Sequence, residues 1–210
     1  MRRTTLLLTM LWGCGPASLS GQVDGERVGG ARDAVYDTYS LDFGPFGELE
    51  FALVVLTSFP EACEVVEEYS EAARGGDCEE RCEAIVAVSE EYGLRDERYW
   101  TFSMTVNVSD GEEGVFDYET DTSSVEDEEF YGVFSSWDGR ALQDQAACEE
   151  ACEDGELLDP SDEEGEDGEL EITRADGETL SGRFDVDLGG DERVRGGFDA
   201  RPCDTEEWIF

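Results

Sequence analysis

The side chains best suited to chemistry in this 210-residue chain are cysteines in two nearly identical segments, CEERCE at 78–83 and CEEACE at 148–153. Cysteines four positions apart lie on one face of a helix, one turn apart, and the residues between them are good helix formers. Thioredoxin-like redox sites use the shorter spacing C-x-x-C. The duplicated pattern therefore favours two helices that are cross-linked to each other.

The relative direction of the two helices decides how these four cysteines pair. Antiparallel helices would form Cys78–Cys152 and Cys82–Cys148, because the first cysteine of one helix then faces the second cysteine of the other. Parallel helices would form Cys78–Cys148 and Cys82–Cys152. We expect the antiparallel pairing, with the parallel pairing as the alternative.

Cys63 and Cys203 are left as a third pair, which would tie an early helix to the last strand. Six cysteines besides Cys14 are an even number, as expected for disulfides in an exported chain. A zinc site built from the four C-x-x-x-C thiolates is the competing interpretation, but zinc sites favour C-x-x-C and often include histidine. The chain has no histidine, so we expect three disulfides and no metal or other cofactor.

Catalytic motifs are missing from the sequence. Without histidine, Ser-His and Cys-His nucleophile pairs are excluded. A hydrolase that uses two carboxylates in a cleft stays open, because the chain has 55 acidic residues. The acidic run at 159–167 has oxygen ligands suited to calcium, but its order does not match an EF-hand loop, and a solvated acidic loop is the simpler interpretation. We expect a protein that is not an enzyme.

The charge of the chain excludes one class of partner. The 14 basic residues, all arginine, face 55 acidic ones, for a net charge of −41. Such a surface repels nucleic acid, which is bound through basic patches. Acidic residues spread over most of the chain indicate adaptation to salty surroundings. A basic protein partner at the envelope, or weakly bound divalent cations, is the alternative.

The first residues, MRRTTLLLTMLWGCG, resemble an export signal with a basic start and a short apolar stretch. Residues 1–13 are the predicted signal peptide, and Leu11 and Gly13 before Cys14 resemble a bacterial lipobox, so Cys14 is the expected lipid attachment site. A secretory cut near Ala17–Gly21 is the alternative. Gly15 after Cys14 favours the outer membrane. No segment is long and apolar enough to span a bilayer.

The strands and helices predicted along the rest of the chain must hold the cysteines in position. Residues 14–31 are small and polar and predict a flexible tether, which leaves 32–210 as one domain. Strands are expected at 34–39 and 48–57. A helix is expected to begin within 58–61, with Ser58 as its cap and Pro60 in its first turn. A second helix is capped by Asp77, and a third covers 140–153. The acidic stretch 154–168 predicts an exposed loop.

Alternation predicts the other strands. Residues 99–108 alternate, and two further candidate strands follow before the third helix. The last 40 residues predict three strands joined by hairpin turns at 175–178 and 189–191. Their inward-facing side chains are expected to be Leu170, Ile172, Leu180, Phe184, Val186, Leu188, Val194, Phe198 and Ala200.

Three segments occur in an order that resembles predicted lipoproteins of myxobacteria and their relatives. They are GERVGG at 25–30, LVVLTSFPEAC at 53–63 and LSGRFDVDLGGDERVRGGFDARPC at 180–203. Those chains have a lipobox, a cysteine after an early apolar strand and a terminal strand pair that ends in cysteine. The resemblance covers about a third of the chain and, because that family has no established activity, implies compartment and architecture only.

Together these features predict a mainly β (α+β) protein, an antiparallel β-sandwich or open barrel with two or three short disulfide-stapled helices. The expected function is a non-catalytic cell-envelope lipoprotein with a structural or interaction role. The first alternative is a small-ligand or calcium-binding β-barrel domain, with a pocket lined by Trp100, Phe102, Phe116 and Tyr131. A carboxylate-based hydrolase is the second.

Overall fold

The structure, a computed structural model, describes residues 17–42, 48–74, 76–94, 98–107, 114–118, 129–139, 144–154 and 161–203. The strands are β1 (Ala17–Val23), β2 (Glu26–Gly29), β3 (Asp33–Asp42), β4 (Glu48–Thr57), β5 (Arg98–Asn107), β6 (Gly114–Tyr118), β7 (Glu129–Asp138), β8 (Ser161–Glu164), β9 (Asp167–Ala175), β10 (Leu180–Gly189) and β11 (Glu192–Pro202). The helices are α1 (Ala62–Ala73), α2 (Cys78–Glu91) and α3 (Gln145–Asp154). This composition confirms the predicted mainly β class with short helices.

Strand pairing closes on itself. The order β3-β4-β5-β7-β6-β9-β10-β11 returns to β3, because β11 pairs with both β10 and β3. Most neighbours are antiparallel, whereas the β11–β3 and β6–β7 contacts are short and parallel. The predicted sandwich or open barrel is thus a ring of strands with two short parallel seams.

The main core fills the inside of this ring. Trp100, Phe102, Met104 and Val106 of β5 are buried in it, as their alternation predicts, and Val108 lies outside the described residues. The ring centroids of Phe102 and Phe184 are 4.9 Å apart. The inward positions predicted for the last three strands are all buried: Leu170, Ile172, Leu180, Phe184, Val186, Leu188, Val194, Phe198 and Ala200.

The prediction of a flexible tether over 14–31 is wrong from Ala17 onwards. β1 pairs with β11, and β2 pairs with β1 in a hairpin. Asp24 and Gly25 form the turn with φ of 53° and 72°, as a type I′ Asp-Gly hairpin requires. Leu19 and Val23 are buried in the main core, and their burial gives the segment a reason to be ordered. Residues 14–16 lie outside the described part, as do the predicted signal peptide and Cys14.

Helix α1 begins at Ala62, three residues later than a cap at Ser58 predicts. Ser58 does not cap it: the Ser58 Oγ accepts a hydrogen bond from the Trp100 backbone N–H at 2.9 Å. The Asp33 carboxylate on β3 instead accepts from the Ala62 N–H at 2.9 Å, which satisfies one of the free donors at the helix start. The capping group thus comes from 29 positions earlier in the chain.

Helix α1 covers the outer face of the sheet, and α2 packs on α1. Val35 and Val55 on β3 and β4 pack against Ala62 and Val65 of α1 in a second core. Asp77 caps α2 as predicted, since its carboxylate accepts from the Glu80 N–H at 3.1 Å. Helix α3 extends the helical layer through contacts with α2.

The prediction of an exposed loop over 154–168 is wrong where the structure describes it. Ser161–Glu164 form β8, which pairs antiparallel with β7, and β9 begins at Asp167. The edge of β7 beyond its contact with β6 offers free backbone groups, and β8 satisfies them. Residues 155–160 lie outside the described residues.

Candidate functional site

The cysteines form the three predicted disulfides. Cys78–Cys152 and Cys82–Cys148 join α2 to α3, with Cα atoms 5.8 and 5.6 Å apart. The antiparallel pairing is therefore confirmed and the parallel alternative is wrong. The inner pair, Cys82 and Cys148, is fully buried in a small core between the helices. All four thiols are consumed, so the zinc interpretation is wrong as well.

The third disulfide, Cys63–Cys203, ties α1 to the end of β11 as predicted. Arg201 lies beside it, with Nη1 3.4 Å from the Cys63 Sγ and Nη2 3.1 Å from Asp33 and 3.2 Å from Glu64. Burial lowers the pKa of Arg201, but the charges and hydrogen bonds of Asp33 and Glu64 together raise it above its ordinary value. Because Asp33 also caps α1, this cluster fixes the start of the helix against β3 and β11.

Disulfides of this kind belong to oxidising surroundings, so the protein resides in an extracellular or envelope environment. In the described part of the chain, no helix is both long and apolar enough to cross a membrane. The described residues also contain no cluster of three or more His, Cys, Asp or Glu arranged to hold a metal ion.

The four aromatic residues predicted to line a ligand pocket do not share any of the described cavities. Phe102 and Phe116 are buried in the main core and line none of the described cavities. Tyr131 alternates with the inward-facing Phe130 and lies outside that core. Phe102 and Phe116 pack among the apolar side chains inside the ring, so the four residues do not form a common lining in the described cavities. Trp100 alone of the four lines the described cavities.

One of these is a cavity of about 200 Å³ between the β1–β2 hairpin and the adjacent ends of β5 and β7, which we call the hairpin cavity. Its walls are Val23, Asp24, Glu26, Arg27, Val28, Gly29, Arg98, Trp100, Phe134 and Ser136. Sequence reasoning missed it because it took the hairpin for a tether. The Asp24-Gly25 pair between alternating residues is the hairpin signal that would have revealed it.

Arg98 is the main polar link between the hairpin and the ring. Its Nη1 lies 2.9 Å from the Glu26 carboxylate and its Nη2 3.6 Å from that of Asp24. The same Nη2 donates to the Ser136 Oγ at 3.3 Å. These groups are half-exposed, so the ion pairs contribute about 1 kcal/mol or less each. Their role is to fix the position of polar groups at the mouth of the cavity.

Carboxylates surround the tip of the hairpin. The Glu192 carboxylate accepts from the Asp24 and Gly25 N–H groups at 2.8 and 2.6 Å. Burial raises the pKa of Glu163, and the negative charges of Asp24 and Glu192 raise it further. Glu163 is partly buried, whereas the Asp24 side chain is 43% exposed. The two carboxyls are hydrogen-bonded at the rim of the cavity rather than sunk in a cleft.

The acidic run at 159–167 does not form a calcium loop in the described residues. Ser161–Glu164 are extended in β8, and the Glu166 N–H donates to the Asp187 carbonyl oxygen at 2.7 Å. Side chains in an extended strand point alternately to opposite faces, so they do not converge on one ion. Asp159 and Pro160 lie outside the described residues.

A second cavity, of about 280 Å³, adjoins the hairpin cavity at Gly29, Arg98 and Trp100. Phe59 and Tyr99, which are in edge-to-face contact, form part of its wall. The structure thus brings together Arg98, Trp100 and the hairpin, which the sequence predictions had kept apart. Comparison of the chain with protein families, with curated proteins and with solved structures finds no match.

Proposed function

We propose that this protein is an exported, non-catalytic lipoprotein of the cell envelope, anchored through Cys14 and located at the outer membrane. Its role is structural or interactive, with a protein partner at the envelope. Support comes from the signal-like start of the sequence, the lipobox-like residues before Cys14, and three disulfides that need an oxidising compartment.

The position of β1 is the observation that carries the proposal. β1 begins at Ala17, three residues after Cys14, and Leu19 is buried in the main core. Processing at Cys14 leaves the whole strand in place. A secretory cut within Ala17–Gly21 would remove residues that pair with Gly196 to Phe198 of β11. The fold therefore favours processing before the strand over processing within it.

A lipid on Cys14 would hold the domain close to the bilayer. Three residues span at most about 10 Å. The N-terminal end of β1 would then lie near the membrane surface, while the turn at Asp24 is seven residues, up to about 23 Å, further along the chain. The anionic surface of the protein would favour basic groups on any partner protein that binds there.

The test is a mass analysis of the mature protein from its host without reduction, with detergent-phase partitioning. We expect a diacylglycerol-modified Cys14 as the first residue and partitioning into detergent. Cys14→Ser should lose both while keeping the three disulfides, because Cys14 is not part of them. Gly15→Asp tests the sorting step and should move the protein away from the outer membrane. An unlipidated N-terminus beyond Cys14 would overturn the proposal.

A further inference from the structure

Trp100 is the residue that distinguishes the hairpin cavity from an ordinary surface depression. Its side chain is only 7% exposed and stacks on Phe134 with ring centroids 5.6 Å apart. Its backbone N–H is bound to Ser58, but no described residue accepts a hydrogen bond from its indole N–H. Buried indole N–H groups usually have a partner, so the missing acceptor points to a ligand or solvent.

The indole N–H of Trp100 borders open space. Among the described side chains, the fully buried polar atoms without a partner are Arg81 Nε and Thr101 Oγ1. Nε1 of Trp100 is not one of them, so it keeps contact with solvent although the side chain is nearly buried. The residue lines the hairpin cavity and the second cavity beside it. An acceptor atom of a small molecule can therefore reach it there.

The formal charges of the side chains in the cavity wall sum to zero. Asp24 and Glu26 contribute two negative charges, and Arg27 and Arg98 contribute two positive ones. This balance stands out in a chain with only 14 arginines and a net charge of −41. Glu163 and Glu192, which lie beside Asp24, disfavour an anion, and the indole N–H of Trp100 requires an acceptor atom that a simple cation does not offer. The site therefore fits a neutral molecule.

The polar groups of the wall offer both donors and acceptors. Trp100 and Arg98 donate, the carboxylates of Asp24 and Glu26 accept, and Ser136 keeps a hydroxyl that can donate. A hydroxyl group on a ligand complements such a wall because it both donates and accepts. The apolar faces of Val23, Val28 and Phe134 complement C–H groups between the hydroxyls.

We infer that the hairpin cavity binds a small neutral molecule rich in hydroxyl groups, of the size of one sugar ring. About 200 Å³ corresponds to roughly seven water molecules at ~30 Å³ each, which is less than a drug-sized ligand needs. Trp100 donates its indole N–H to a ligand oxygen, and Arg98 and Ser136 orient the other hydroxyls. The inference does not depend on the anchor at Cys14.

The test measures binding of named probes to the full-length oxidised protein by titration calorimetry and tryptophan fluorescence. D-Glucose, N-acetyl-D-glucosamine and myo-inositol are the neutral probes, and D-glucuronate is the charged counterpart of glucose. We expect saturable binding of at least one neutral probe in the millimolar range. D-Glucuronate should bind about tenfold more weakly than glucose, because its charge meets the acidic rim.

Trp100→Phe removes the indole N–H and keeps an aromatic ring against Phe134. It should weaken binding about fivefold, the effect of one lost hydrogen bond, and abolish the fluorescence change. Trp137→Phe is the matched control, because Trp137 stacks on Tyr99 outside the hairpin cavity and should leave binding unchanged. Ser136→Ala is a second, milder variant should Trp100→Phe impair folding.

Three outcomes would overturn the inference. They are no saturable binding of any neutral probe, tighter binding of D-glucuronate than of glucose, and equal binding by the wild-type chain, Trp100→Phe and Ser136→Ala. Loss of the lipid on Cys14 without loss of binding would leave this inference intact and contradict only the proposed anchor.

Discussion

At the residue scale, glycine and phenylalanine face each other across β10 and β11. Gly182 is opposite Phe198, and Phe184 is opposite Gly196. A Cβ on Gly182 would lie 2.8 Å from the Phe198 ring, and one on Gly196 would lie 2.9 Å from the Phe184 ring. Each phenylalanine therefore covers the glycine across from it, which explains why these residue types recur in the closing strand pair.

Gly196→Ala should destabilise the protein by about 3 kcal/mol, because its Cβ would collide with the Ser18 carbonyl oxygen and the Phe184 ring. β1 would have to move away from β11. Gly114→Ala is the matched control, since its Cβ would meet one Phe116 atom at an ordinary 4.0 Å. Urea unfolding of the two variants checks this, and equal midpoints would show that β1 does not pack tightly on β11.

At the element scale, helix α3 depends on its disulfides. It has ten residues, fewer than an isolated helix needs in water, and Cys148 is its one fully buried side chain. Asp144 caps it through the Ala147 N–H at 2.9 Å. Within the described residues, its neighbours in the core between the helices all belong to α1, α2 or α3 itself, so the two cross-links supply most of what holds it.

Replacing Cys82 and Cys148 with alanine should cost about 2–4 kcal/mol, and more than the same change at Cys78 and Cys152. The inner pair is fully buried, whereas the outer pair is partly exposed. When all four are replaced, amide hydrogen exchange in 145–154 should become fast while β9 to β11 stay protected. Protection of α3 without either disulfide would contradict this dependence.

The strands with alternating apolar residues and the two cross-linked helices could be predicted from local sequence patterns. Alternating residues on β5, β10 and β11 and the four-residue cysteine spacing needed no tertiary information. The start of α1 could not be predicted in this way, because its cap is Asp33, on another strand. β8 could not be predicted from local patterns either. Its residues are strongly acidic, and they are extended only because the edge of β7 offers them hydrogen bonds. Only the hairpin wall of the hairpin cavity has a local signal, the Asp24-Gly25 pair, because its other walls come from β5 and β7.

At the scale of the whole molecule, charge repulsion opposes the folded state. With a net charge of −41, the urea midpoint should rise steadily as sodium chloride screens the surface. Calcium chloride at equal ionic strength also tests for divalent cation binding. We expect at most a small additional effect, because the described residues contain no metal-ligand cluster. A midpoint independent of salt would show that the acidic groups do not repel one another appreciably.

The three disulfides are nested along the chain: 63–203 encloses 78–152, which encloses 82–148. A protease that cuts once anywhere between Cys63 and Cys203 therefore leaves both fragments covalently joined. A single cut before Cys63, for instance after the exposed Arg27 or Arg32, has the opposite effect. It would leave the cross-linked remainder attached to the N-terminal piece through strand pairing alone. If the protein is anchored by a lipid on Cys14, a single cut between Cys14 and Cys63 could therefore release the domain from the cell surface, whereas a single cut between Cys63 and Cys203 could not.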